Sequence, residues 1–167
     1  VFIDQHAAHE RVVISRLKEG YYKAQMPCWL LLIPETIELR ADAAEVLKSH
    51  LQELKRLGIE IEGFSGNTFV LKGVPELLVG ADNRQLLLDI AENLLDIESL
   101  DEYSEKIDEI LAKMACHSSV RANIVLEPEE IKALLAELDR VELSSYCPHG
   151  RPVAHIISFN ELEKLFK

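Results

Sequence analysis

Ile59-Glu60-Ile61-Glu62-Gly63-Phe64-Ser65-Gly66-Asn67-Thr68-Phe69-Val70-Leu71 decides the fold class. Residues 59–62 alternate apolar and charged, residues 68–71 are rich in β-formers, and the turn-forming run 63–67 joins them, so the stretch reads as a hairpin. On its N-terminal side, Asp42 with Glu45 three residues on marks a capping box. The helix opened there carries Leu47, Leu51, Leu54 and Leu57 on one stripe and stops at Gly58. On its C-terminal side, after Pro75, two helices are expected over about 83–95 and 101–118, the second with Ile107, Ile110, Leu111 and Met114 at helical spacing.

Working outward, Val1-Phe2-Ile3 reads as a short strand and Asp4 stands where a helix N-cap belongs. A helix from Gln5 or Ala7 runs to a stop at Gly20. Trp29-Leu30-Leu31-Leu32-Ile33 is a continuous apolar run expected to be a buried strand, interrupted by Pro34 and resumed with alternation at Thr36-Ile37-Glu38-Leu39. Pro128 opens a further helix with Ile131, Leu134, Leu135 and Leu138 on one face. Val153–Ser158 reads as a strand, followed by a helix from Asn160. With no internal repeat and no low-complexity linker, the expectation is an α+β fold of antiparallel sheets flanked by helices.

The chain has 167 residues, enough for one compact domain or two small subdomains. No apolar run approaches the length of a membrane span and no leader opens the chain, and both ends read as cuts through a longer protein. Three cysteines without framework spacing argue against a secreted disulfide scaffold and fit a reducing cytoplasm. A formal charge of −11 argues against strong DNA binding by this chain alone, because phosphate binding needs clustered Lys and Arg.

Chemistry concentrates in three short stretches: Asp4-Gln5-His6-Ala7-Ala8-His9-Glu10, Ala115-Cys116-His117 and Cys147-Pro148-His149-Gly150-Arg151-Pro152. His6 and Glu10 are four residues apart and project from one helix face. Thiolate, imidazole and carboxylate together suit zinc. Each residue alone has a plainer role as a core cysteine, a satisfied histidine or a cap. Asp4 reads both as an N-cap and as an acidic residue that holds a catalytic metal or deprotonates water. His117 follows Cys116 about 100° round the helix and is expected to be exposed.

Asp-Gln-His-Ala-x-x-Glu at 4–10, Ala-Cys-x-x-Ser-Val-Arg-Ala at 115–122 and Cys-Pro-His-Gly-Arg-Pro at 147–152 resemble the C-terminal domain of the MutL family of DNA mismatch-repair proteins, in its endonuclease-bearing branch. The resemblance covers essentially the whole chain. It implies a homodimer in which residues 1–40 and 113–167 form a dimerising subdomain carrying the metal site, with 41–112 inserted as an external, regulatory subdomain. It implies zinc held by Glu10, Cys116, Cys147 and His149, with His6 as a fifth or alternate ligand. It further implies a catalytic set of Asp4, His6, Glu10 and Arg151, the last holding a scissile phosphate or pairing with a site carboxylate, and manganese or magnesium for cleavage. The implied activity is latent nicking of double-stranded DNA. The rival is a purely structural dimerisation and partner-docking module. A zinc deaminase is disfavoured because its His-x-Glu and Pro-Cys-x-x-Cys pattern is absent.

Two positions depart from the family pattern. Ser15 stands where the first motif continues to a second glutamate, which removes a negative charge. Trp29 stands where a Gln-x-x-Leu-x-Pro segment for the replication sliding clamp begins, with Leu32 and Pro34 in place. The implied partners are a second copy, DNA, the mismatch-recognition protein MutS and the clamp through Trp29–Pro34. ATP would act only through an ATPase domain outside this chain. The expected location is a bacterial cytoplasm, associated with the nucleoid.

Overall fold

The structure is a computed structural model that describes residues 1–95, 100–118, 125–141 and 152–164. Its packing divides into two units, Val1–Ser15 with Ser119–Lys167, and Arg16–Ser118. The division falls inside the first helix and just after Ser118, so positions 40/41 and 112/113 both lie within the second unit.

In the first unit, strand β1 (Phe2–Ile3) pairs antiparallel with β5 (Ala154–His155), Phe2 opposite His155 and Ile3 opposite Ala154. The expected strand over 153–158 is thus only two residues long. Helix α1 (Gln5–Tyr22) starts directly after β1. Ala7, Ala8 and Val12 form a small buried cluster with Leu138 and Val153. Leu138 is the last residue of α6 (Pro128–Leu138), whose first turn is closed by Glu127 N–H donating to Glu130 Oε2 at 2.8 Å. The apolar face foreseen for α6 is only partly covered. Leu138 is buried and Leu134 packs against the cluster, whereas Ile131 and Leu135 are exposed. Helix α7 (Phe159–Lys164) begins one residue earlier than expected, because Ser158 and Glu161 close a capping box around its first turn.

In the second unit, β3 (Glu60–Ser65) and β4 (Thr68–Pro75) form the hairpin, with Ser65 opposite Thr68 and Gly66 at φ +54° in the turn. The positive φ suits glycine at that place. Phe69 and Leu71 of β4 are fully buried, as are Leu47, Leu54, Leu87, Ile90 and Leu111 of helices α2 (Ala41–Ser49), α3 (Leu51–Arg56), α4 (Asn83–Leu95) and α5 (Leu100–Ser118). Ile107, Ile110, Leu111 and Met114 are all buried, as their spacing required. Lys18 Nζ (2.7 Å) and Tyr22 Oη (3.0 Å), both from α1, donate to Asp108 of α5.

Several expectations fail in this unit for local reasons. Helix α1 passes the expected stop at Gly20 and runs to Tyr22. The helix at 41 is capped by Arg40, and Asp42 sits in its first turn, accepting from Arg40 at 3.0 Å, so the capping box foreseen at Asp42 does not form. The Leu stripe is split at His50, leaving Leu51 at the surface while Leu47, Leu54 and Leu57 are buried. A further failure is larger. Trp29–Ile33 belongs to β2 (Cys28–Glu38), the edge strand of the order β2-β4-β3, and is not buried. Leu32 is 97% and Ile33 79% exposed. The cause is Pro34, which has no N–H for the ladder. Pairing stops at Leu30 opposite Gly73 and resumes at Glu35 opposite Leu71, so residues 31–34 bulge out against Lys72 alone. Beyond the bulge, Ile37 returns to the core.

Candidate metal and catalytic site

Asp4 is fixed by its position between strand and helix. Its N–H donates to Val153 O (2.9 Å), continuing the β1–β5 ladder, and its Oδ1 accepts from the N–H groups of His6 (2.8 Å) and Ala7 (3.0 Å). The N-cap foreseen from the sequence is present. The residue itself is exposed.

One turn on, His6 Nε2 lies 3.3 Å from Glu10 Oε1. Glu10 is 3% exposed, one of two buried polar or charged residues among those described. A carboxylate in that setting is costly without positive charge or donors nearby. Two ligands about 2.0–2.1 Å from a tetrahedral zinc stand about 3.3 Å apart. The His6–Glu10 separation matches that value and equally matches an ion pair. The donor pair therefore suits a divalent cation in both chemistry and spacing. Ser15, at the position of the family's second glutamate, is half-buried on the same helix.

Cys116 lies in the last turn of α5, half-buried, its Sγ donating to Ala112 O at 3.1 Å. His117, expected to be exposed, is not. Its Nε2 lies 2.9 Å from Asp89 Oδ2 of α4, with the two side chains only 13% and 25% exposed. Helix α4 packs along α5 and supplies a carboxylate, which local spacing could not reveal. Cys28 is a separate matter. Partial burial foremost, then the nearby charge of Glu60, raises its thiol above the usual range, so it stays protonated near neutral pH.

Cys147, His149 and Arg151 lie outside the described residues. Among the described residues, no group of three or more His, Cys, Asp or Glu stands close enough to hold a metal. The structure thus brings His6 and Glu10 together behind Asp4. An open cleft of about 300 Å³ lined by Arg16, Glu19, Lys23, Gln25 and Met26 includes none of the candidate residues. Trp29, Leu32 and Pro34 are exposed on the bulged edge of β2. Among the described residues, no helix is long and apolar enough to cross a membrane.

Residues 1–126 match the family model described as the MutL C terminal dimerisation domain. The chain is 46% identical over its full 167 residues to the DNA mismatch repair protein MutL of Geotalea uraniireducens (strain Rf4), covering 28% of that protein. It is 43% identical over 167 residues to the protein of the same name from Geobacter sulfurreducens, again covering 28% of it. The Anaeromyxobacter dehalogenans (strain 2CP-C) protein of that name is 43% identical over 164 residues, which are 98% of this chain and 27% of the relative. The chain spans little more than a quarter of the length of these relatives. The family match runs unbroken from β1 through the capped start of α1, the hairpin unit and Cys116, and on that ground the chain belongs to the MutL C-terminal dimerisation domain family.

Proposed function

We propose that this chain is the part of a bacterial mismatch-repair protein that both pairs two copies and carries a latent, metal-dependent DNA-nicking site. The observation that carries the proposal is the head of α1, where exposed Asp4 caps the helix and buried Glu10 sits 3.3 Å from His6 one turn later. In this proposal Glu10, Cys116, Cys147 and His149 hold zinc, with His6 as a fifth or alternate ligand. Manganese or magnesium serves cleavage. A bound divalent metal neutralises charge on the phosphate and lowers the pKa of water.

The chain's own residues do the rest. Asp4 Oδ1 serves the cap, so Oδ2 is the oxygen that would meet a cation or take a proton from water. His6 and Glu10 share one helix face, so the same helix that positions Asp4 also presents an imidazole nitrogen and a carboxylate oxygen. Arg151 holds the scissile phosphate or pairs with a site carboxylate. The division of labour is that 1–40 and 113–167 dimerise and carry the site, while 41–112 form an external regulatory subdomain. Exposed apolar residues support self-association: Ile131, Leu135, Ile156 and Phe159 in the first unit, and the Trp29–Ile33 edge in the second. A charge of −11 means DNA must be delivered by other parts of the protein or by partners, namely an ATPase domain, MutS, or a sliding clamp docked on Trp29–Pro34. All of this fits a bacterial cytoplasm.

The rival is a dimerisation and docking module without nuclease activity. Plasmid nicking by the full-length protein with manganese separates the two. Wild type should nick, and Asp4→Asn should not, while keeping fold and dimer, since asparagine also caps helices. Equal nicking by the variant would remove Asp4 from catalysis and favour the structural module.

A further inference from the structure

We propose that Asp89 and His117 are positioning residues for Cys116: the clasp between α4 and α5 sets the direction in which the last turn of α5 presents its thiol. The inference rests on the reading of Cys116 as a metal ligand. His117 Nε2 meets Asp89 Oδ2 at 2.9 Å, largely shielded from solvent. The carboxylate is itself held from its other side, Gln85 Nε2 donating to Asp89 Oδ1 at 2.6 Å. The turn of α4 that bears it is braced by Asn93 Nδ2 donating to Asp89 O at 2.7 Å. Gln85, Asp89 and Asn93 repeat at four-residue steps, so one face of α4 forms a polar rail along which the carboxylate has a single orientation.

Met114 and Ala115 are buried, but Cys116, His117 and Ser118 are only half-buried, and a helix end of that kind frays. The Ser118 hydroxyl donates to Ala115 O (2.7 Å) and the Cys116 thiol to Ala112 O (3.1 Å), both within α5. The His117 imidazole ties the same turn to α4. Because neighbouring helical residues are about 100° apart, fixing the imidazole against α4 fixes where the thiol points. Partners of this kind, one step removed from a metal ligand, typically change metal affinity about 10–100-fold when removed.

Cobalt(II) titration of this chain tests the assignment, because the thiolate-to-cobalt charge-transfer band grows with the number of thiolate ligands, Cys116 and Cys147 in this reading, and needs no DNA cleavage. Asp89→Ala and His117→Leu should raise the cobalt dissociation constant by about tenfold or more and weaken the band. His117→Gln, whose amide N–H can still donate to Asp89, should restore both toward wild type. Wild-type affinity and band in Asp89→Ala would overturn the inference. If Asp89→Ala loses helical circular dichroism, the His117→Leu and His117→Gln pair decides alone, and equal behaviour of those two overturns it. Cys116→Ser is the control for the underlying reading. An unchanged band there removes Cys116 from the metal and the inference with it, whereas a weakened band with an unaffected Asp89→Ala refutes the positioning role alone.

Discussion

The start of α1 and the end of α5 both present candidate metal donors, yet they are ordered by opposite means. At the start of α1 the cap and the donor pair are local, beside the strand bond from Asp4 N–H to Val153 O: Asp4 reaches the N–H groups of His6 and Ala7, two and three residues on, and His6 meets Glu10 at i+4. At the end of α5 the ordering contact comes from Asp89, 28 residues away on another helix. A helix start organised by its own spacing is preformed once the helix exists. A helix end organised by a neighbour is only as good as the packing that brings the neighbour.

That contrast can be broken by attacking the packing. Leu111 is fully buried on the face that α5 turns to the core. Leu111→Ala should cost about 2–5 kcal/mol, read by urea denaturation. Amide exchange should rise more over Ala115–Ser118 than over His6–Glu10, and an equal rise at both ends would contradict the contrast. Gly58, which ends the α3 segment, sharpens it with a smaller effect. At φ +79° a Cβ there would lie 2.7 Å from Met26 Cγ. Gly58→Ala should therefore cost about 1–3 kcal/mol, measured the same way.

Removing the local cap should cost less. Asp4→Ala should lower stability by about 1 kcal/mol, and Asp4→Asn by no more than a few tenths, the difference being checked by paired thermal melts. The smallest effect belongs to a third helix start. Glu161 is held below the usual carboxylate range, first by the Ser158 hydroxyl and then by its N–H. Its folded pKa is depressed, so its contribution is present above the unfolded pKa near ~4.3 and is lost as pH falls through the lower folded value. Carboxyl NMR titration should show a midpoint below that of a free glutamate, moving up in Ser158→Ala. An unshifted midpoint in the wild-type chain would mean the box does not hold in solution.

What could be read in advance follows the same line. The 60–75 hairpin, α4 and α5, the Asp4 cap and the His6–Glu10 pair were legible because each depends on spacing within one element or across one turn. Trp29–Ile33 was misjudged because apolarity alone reports burial only where the ladder is continuous, and Pro34 breaks it on an edge strand. The α6 stripe was misjudged in part, since Ile131 and Leu135 have no cover among the described residues. His117 was misjudged because no local pattern reports a carboxylate on another helix. The Cys147, His149 and Arg151 assignments lie outside the described residues, and Cys116 enters the proposed metal set through the family pattern.

The central proposal is that Glu10 and Cys116 are both zinc ligands, as the family pattern implies. Zinc per chain, measured after expression in zinc-replete medium, tests it most directly. Wild type should carry zinc, and Glu10→Gln and Cys116→Ser should each lose most of it. A zinc-free wild type with freely reactive thiols at Cys116 and Cys147, or full occupancy in either variant, would contradict the claim.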